Sequence, residues 1–312
     1  IKEMGTYRLT LTGTKNYQGE MKVTFKVTDK LHSITKATVK TGSAEFTGKA
    51  AELSDSADVK EGNGIDVYFD RENPLVYGTD YTLKYENNIK AGKKAKVTIV
   101  GMGEYAGEKT VNFTIRQADI NKLVEGDIEG SSFTANLVVD DTLGITQYYT
   151  GYALTPEYKV KAKLSGNDVN LIKGTDYTVK FKNNVSGKKQ EDGTYLADVI
   201  ITGKGNFKGT YKTQFEVTQT KLSDFNISVK TVTYNGKTQK PAITFIHKET
   251  GKVFDLKAGV AYKAKYKNSK NTGNTKSVNP PTVTLTEKGM NADGAEKQAV
   301  TKYFTITNAK IS

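Results

Sequence analysis

Twelve residues, Tyr77 to Asn88, read YGTDYTLKYENN, and 96 positions later Lys173 to Asn184 read KGTDYTVKFKNN, with eight identities. An internal repeat constrains a fold more than any single motif, because each copy must be one structural unit. The text that follows recurs as well, as AKVTIVGMGEYAGEKTVNFTI (95–115) and ADVIITGKGNFKGTYKTQFEV (197–217). An earlier version is YRLTLTGTKNYQGEMKVTFKV (7–27). A more worn one is GVAYKAKYKNS (259–269) with PTVTLTEKGMNADGAEKQAVTKYFTI (281–306). The glycine that closes the penultimate strand stands at Gly13, Gly101 and Gly203, at intervals of 88 and 102. That period is too long for a solenoid repeat of roughly 20–50 residues. It suits a small β-sandwich.

Alternation identifies the buried faces. Tyr81, Leu83 and Tyr85 share one face against Thr82 and Lys84. Val97 and Ile99 alternate with Lys96 and Thr98, and Val111, Phe113 and Ile115 with Asn112 and Thr114. A strand apolar on one side needs a second sheet to cover it. The expected fold is therefore all-β: tandem immunoglobulin-like β-sandwich domains in an extended array. The expected units are 1–29 (the C-terminal part of a repeat), 30–118, 119–220 and a divergent 221–312. Linkers are expected near Thr28–Ser33, Gln117–Asn121 and Gln219–Asp224.

The rest of the repeated spelling is turn chemistry. Gly78-Thr79-Asp80 breaks the chain before a strand, with Asp80 placed to bond nearby amides. Asn87-Asn88 suits left-handed backbone in a tight connection. Exposed positions differ between copies (Glu86 against Lys182), and Asp80 and Asp176 become Ala261. The repeated words are therefore fold grammar rather than a ligand site.

Composition sets further bounds. A hydrophobic fraction of 36% allows a modest core in each unit, and no apolar run approaches a membrane span. No secretion signal is visible, and the opening IKEMGTYRLT reads as the middle of a longer protein. The chain has no cysteine, which excludes disulfides, thiolate metal sites and cysteine nucleophiles. The net charge of +12 admits two readings. One is attraction to a polyanion; the other is a lysine-rich solvent face that blunts sheet edges. The lysines are spread over alternating strand positions, which favours the second.

Each unit opens on a related word: Phe46-Thr47-Gly48-Lys49, Tyr149-Thr150-Gly151-Tyr152 and Tyr234-Asn235-Gly236-Lys237. Pro156 and Pro241 follow at one offset, where the second unit has Leu53. With GTDYTVKFKNN and GKGNFKGTYKTQFEV, this succession resembles the tandem immunoglobulin-like repeats of Gram-positive, clostridial-type cell-surface proteins. The resemblance implies an extracellular stalk, spacer or adhesin segment on the bacterial surface or in a secreted protein, with neighbouring modules of the same chain as partners. It supplies no catalytic residues, and fold alone does not fix function.

Candidate sites are few. The G-x-G-x-x-x-G segments at Gly101–Gly107 and Gly203–Gly209 have the wrong spacing for a nucleotide loop and precede strands. A corner that tucks its aromatic inward is expected instead. His32 and His247 lie in different units without a serine elbow. The acid pairs Asp140-Asp141 and Asp66 with Asp70 do not recur, so no glycosidase dyad is expected. Glu125-Gly126-Asp127-Ile128-Glu129-Gly130 lacks the order of a calcium loop. No enzyme activity, cofactor or metal is expected. The alternative is a carbohydrate- or anionic-wall-polymer-binding module. Most tyrosines fall on inward positions, leaving Tyr148, Tyr152 and Tyr158 to stack on a host or dietary glycan. A cell-wall polymer would be met by lysines. Nucleic acid and membrane insertion are not expected. A lysine–asparagine isopeptide crosslink is a further covalent option that the sequence cannot assign to residues.

Overall fold

The computed structural model describes residues 5–27, 32–55, 62–138, 144–292 and 298–310. Asp140-Asp141 and positions 28–31 of the first linker lie outside these residues. The chain divides into two compact units, 1–118 and 119–312.

In the first unit, one sheet has the order Ser43–Glu45, Glu108–Arg116, Gly92–Gly101, Tyr81–Glu86. The outermost pair, Thr114–Arg116 with Ser43–Glu45, is parallel and the others are antiparallel. The second sheet is built on Gly64–Asp70, with Thr38–Thr41 on one side and Ser54–Asp55 on the other. Ala95, Val97, Ile99, Phe113 and Ile115 are buried, as the alternation predicts, together with Ile65 and Val67 of the other sheet.

The second unit repeats this plan twice. Gln147–Tyr148, Thr210–Thr218, Tyr195–Gly203 and Tyr177–Lys182 form one sheet, with Lys188–Lys189 on Tyr195–Gly203; Ser132–Leu137, Tyr158–Leu164 and Asn167–Asn170 form the opposing one. Farther on, Tyr262–Lys267, Thr282–Glu287 and Ala299–Tyr303 form a sheet, as do Phe225–Val229, Ile243–His247 and Val253–Phe254. The parallel closure recurs at Gln147 with Val217 and at Val232 with Ile306. Rings join the layers: Phe133 meets Tyr211 at 5.5 Å and Phe245 meets Tyr262 at 5.1 Å. These are tandem immunoglobulin-like β-sandwiches.

A helix departs from a strictly strand-based reading. Ile120–Glu125 is one turn and a half, capped by the Asp119 carboxylate, which accepts from Asn121 N–H, and ended by Gly126 at φ 79°. Its sequence INKLVE buries Ile120 and Leu123, three apart on one helical face.

The N-terminal segment folds as an antiparallel hairpin, Gly5–Thr12 with Glu20–Val27. Tyr7, Leu9 and Leu11 face Phe25, Val23 and Met21 across it. Leu9, Leu11, Met21, Val23 and Phe25 are all between 38% and 58% exposed, although Val97, Ile99 and Phe113, the counterparts of Leu9, Leu11 and Phe25, are buried.

Candidate functional site

The repeated words are consumed by internal bonds. The Asp80 carboxylate accepts from Val76 N–H at 2.8 Å, and Asp176 accepts from Ile172 N–H at 2.9 Å. Each thereby ties the turn that starts its strand. Asn87, Asn183 and Asn268 take the left-handed backbone, at φ 55°, 56° and 52°. The second asparagine has a role the spelling does not reveal. Asn88 Nδ2 donates to Ala51 O at 2.8 Å while its carbonyl accepts from Ala51 N–H at 2.7 Å. Asn184 clamps Leu154 in the same way, at 2.6 and 2.7 Å. Ser269 keeps only the backbone half, accepting from Gln239 N–H.

The glycine-rich corners are structural too. A side chain at Gly101 or Gly203 would collide with the backbone of Tyr105–Ala106 or Lys208. Tyr105–Ala106 pairs in parallel with His32–Ser33, and Phe207 is buried. The helix start at Asp119–Asn121 abuts the second corner at Gly209 and Thr210, but the Asp119 carboxylate already caps it and puts a negative charge there, so nothing at that corner is built to hold a phosphate.

Tyr158, expected at the surface, is a core residue. It alternates inward with Val160, Ala162 and Leu164, while Lys159, Lys161 and Lys163 point outward. Its hydroxyl is buried with no hydrogen-bond partner among the described residues, and burial, then Tyr211, pushes its pKa up to about 12. It cannot stack on a sugar. Tyr148 is half-buried in an aromatic cluster, 5.0 Å from His247 and 5.4 Å from Phe254. Its ring is a joint residue rather than a free platform. Tyr152 is 42% exposed, with Lys257 Nζ 5.1 Å from its ring centroid.

Tyr148 and Tyr152 instead mark a joint within the second unit, between the 119–220 and 221–312 repeats. Tyr149 is buried and donates its hydroxyl to Val260 O at 3.4 Å, and Thr150 O accepts from Lys257 N–H at 2.8 Å. Thr220 is buried; its hydroxyl donates to Tyr149 O at 3.0 Å and its N–H to Asn291 Oδ1 at 3.1 Å. Gln219 Nε2 donates to Met290 O at 2.7 Å. The buried Glu287 carboxylate accepts from Leu222 N–H at 2.7 Å and Gln298 N–H at 3.1 Å. Gly289, at φ 59°, lies where a side chain would strike the Tyr149 hydroxyl. The expected Gln219–Asp224 linker is thus a fitted, hydrogen-bonded seam. Its signal in the sequence is the word GMNA, which replaces the ordinary corner but has no meaning until the neighbouring repeat is present.

An open cleft of about 710 Å³ beside the joint is lined by Tyr149, Ser186, Tyr195, Glu287 and Met290 among others. Both oxygens of its one carboxylate are occupied by backbone N–H groups. His247 is buried among Tyr148, Phe225 and Phe254, with Nδ1 3.2 Å from Thr250 Oγ1 inside its own turn. His32 packs against Tyr105 and Phe69. Asp70 caps a turn, accepting from Glu72 N–H and Asn73 Nδ2. Among the described residues no three His, Asp or Glu groups converge to hold a metal ion. None of the buried polar residues among them is a lysine, the group an isopeptide crosslink requires.

No family model and no curated protein matches the chain. Among solved structures, a protocadherin fragment described as PcdhgB3 EC1-4 is similar at 12% identity, over 99% of this chain and 84% of that one, with a TM-score of 0.16. A score that low carries no argument about this chain.

Proposed function

We propose that the chain is a non-catalytic spacer or adhesin segment of a bacterial cell-surface or secreted protein. Its repeats are of the kind carried by Gram-positive, clostridial-type surface proteins, with units at 1–29, 30–118, 119–220 and 221–312. The observation that carries this reading is the seam around Thr220. Hydrogen bonds cross from one sandwich to the next: Thr220 N–H to Asn291 Oδ1, Gln219 Nε2 to Met290 O, the Tyr149 hydroxyl to Val260 O and Lys257 N–H to Thr150 O, with Thr220, Asn291 and Tyr149 all buried. Buried polar groups are costly unless fully bonded, so a seam built of them specifies a geometry. Holding a geometry is what a spacer does, and a tethered pair of binding modules would do as well with a slack linker. The shared words support the same reading, since their side chains bond their own domains and leave no common ligand contact.

Small-angle scattering of the whole chain tests the proposal. A compact globule of this length has a radius of gyration of about 20 Å. The spacer reading expects a clearly larger value with a long-tailed distance distribution. A value near the compact figure overturns it.

A further inference from the structure

The three complete repeats carry the same sheet, and strand register places nine outward positions of each in one grid. In the 30–118 repeat these are Thr82, Lys84, Glu86; Lys96, Thr98, Val100; and Glu108, Thr110, Asn112. Two lysines meet two glutamates there, and Lys84 pairs with Glu108 at 3.1 Å. In the 119–220 repeat they are Thr178, Lys180, Lys182; Asp198, Ile200, Thr202; and Thr210, Lys212, Gln214. Three lysines share that face with Asp198, which accepts from Asn183 and Gln214. In the 221–312 repeat they are Lys263, Lys265, Lys267; Thr282, Thr284, Thr286; and Ala299, Thr301, Tyr303. This last grid contains no acid.

We infer that the outward face of the sheet Tyr262–Lys267, Thr282–Glu287, Ala299–Tyr303 is a binding surface for a linear acidic polysaccharide. The lysines occupy alternate positions of one strand, so their Cα atoms stand roughly 6.5–7 Å apart, and the threonine row lies about 4.8 Å to the side. All three lysines are exposed, and none forms an ion pair with a described residue. An edge strand needs charge to resist pairing with another chain, but it does not need charge of one sign. The equivalent edges Tyr81–Glu86 and Tyr177–Lys182 meet that need on faces where acids offset part of the charge. The row of lysines can follow a row of anions. The threonine hydroxyls, of which Thr284 and Thr301 already bond each other at 3.0 Å, can exchange hydrogen bonds with sugar hydroxyls. Tyr303, 55% exposed at the corner of the grid, offers one ring face. A site for single-stranded nucleic acid stacks successive bases on several aromatic rings; this grid has one. The inference goes beyond the spacer reading and does not depend on it.

The test uses the whole chain and three immobilised polymers: heparin (sulfated), polygalacturonate (carboxylated) and neutral dextran, with oligo-dT as the nucleic-acid arm. Binding to heparin or polygalacturonate but not dextran is expected, and the preferred one identifies the anion. The log–log salt slope should lie between about −2 and −3, as for three neutralised charges. Replacing Lys263, Lys265 and Lys267 by Gln should weaken binding about tenfold or more. The matched replacement of Lys180, Lys182 and Lys212 removes the same net charge and should leave affinity within about threefold. All six are exposed, so a thermal melt of each variant separates lost binding from lost folding. Equal loss in the two triple variants overturns the inference in favour of diffuse net charge. So does absence of binding to either acidic polymer, and so does oligo-dT binding as tightly as the acidic glycans.

Discussion

Individual residues show how the repeats tolerate drift. Tyr85 Oη donates to Leu53 O at 3.3 Å and accepts from Leu53 N–H at 3.1 Å. In the next copy the tyrosine is Phe181 and the leucine is Pro156, so hydroxyl and N–H vanish together and no N–H donor is stranded. Tyr85→Phe alone strands the Leu53 N–H and should cost about 1–2 kcal/mol, measured by denaturant unfolding. Tyr158→Phe should do the opposite. Its hydroxyl is buried without a partner, so removing it should stabilise by about 1 kcal/mol. Asn184→Ala removes one half of the clamp on Leu154 and should cost about 1–2 kcal/mol. Asn184→Ser, which copies the serine found at Ser269, should lose a similar amount.

At the scale of elements, one spelling gives two outcomes. The pattern YRLTLTG…MKVTFKV resembles that of the paired strands Gly92–Gly101 and Glu108–Arg116, yet the hairpin Gly5–Val27 exposes its apolar face. The difference lies in what packs over that face, since a two-stranded hairpin alone is marginally stable. Amides of Gly5–Thr12 and Glu20–Val27 should therefore exchange within seconds, while those of Tyr195–Gly203, paired on both edges, stay protected for hours. Hydrogen exchange read by mass spectrometry decides this, and slow exchange in the hairpin would show that its face is covered in solution. The seam around Thr220 is an element-scale device as well. Thr220→Val keeps the shape but removes the hydroxyl bonded to Tyr149 O, and should destabilise the second unit by about 1–3 kcal/mol.

At the scale of the whole molecule, seven tyrosines act in one direction. Burial is the first cause of raised pKa at Tyr85, Tyr148, Tyr149, Tyr158, Tyr177, Tyr262 and Tyr266. The unfolded chain releases these protons near pH 10 and the folded chain holds them longer, to about 12 at Tyr158. The unfolded state then binds fewer protons, so stability is complete below pH 10 and falls as pH rises toward 12. Melts at pH 8, 10 and 11.5 should show the midpoint dropping only above 10. An unchanged midpoint would mean that the hydroxyls reach solvent.

The sequence by itself determined the repeat, the strands and their inward faces, because alternation and turn residues act over a few positions and need no partner. Ala95, Val97 and Ile99 were legible for that reason, as were Asp80, Asp176 and the left-handed Asn87 and Asn183. The short helix Ile120–Glu125 was written in the sequence as well, in Asp119, Gly126 and the apolar pair between them, but six residues carry little periodic signal. Only the tertiary structure decided how the tyrosines outside the alternating runs are placed, Tyr148 among His247 and Phe254 and Tyr152 beside Lys257. Tyr158 opens the alternating run YKVKAKL, where its inward phase is legible, whereas Tyr152 lies in a turn without alternation and is set beside Lys257 only by the fold. The clamp of Asn184 on Leu154 spans 30 residues and the bond of Thr220 to Asn291 spans 71. Such contacts exist only once separate segments have been brought together, so the seam and the acid-free lysine grid become visible when register, not spelling, sets residues side by side.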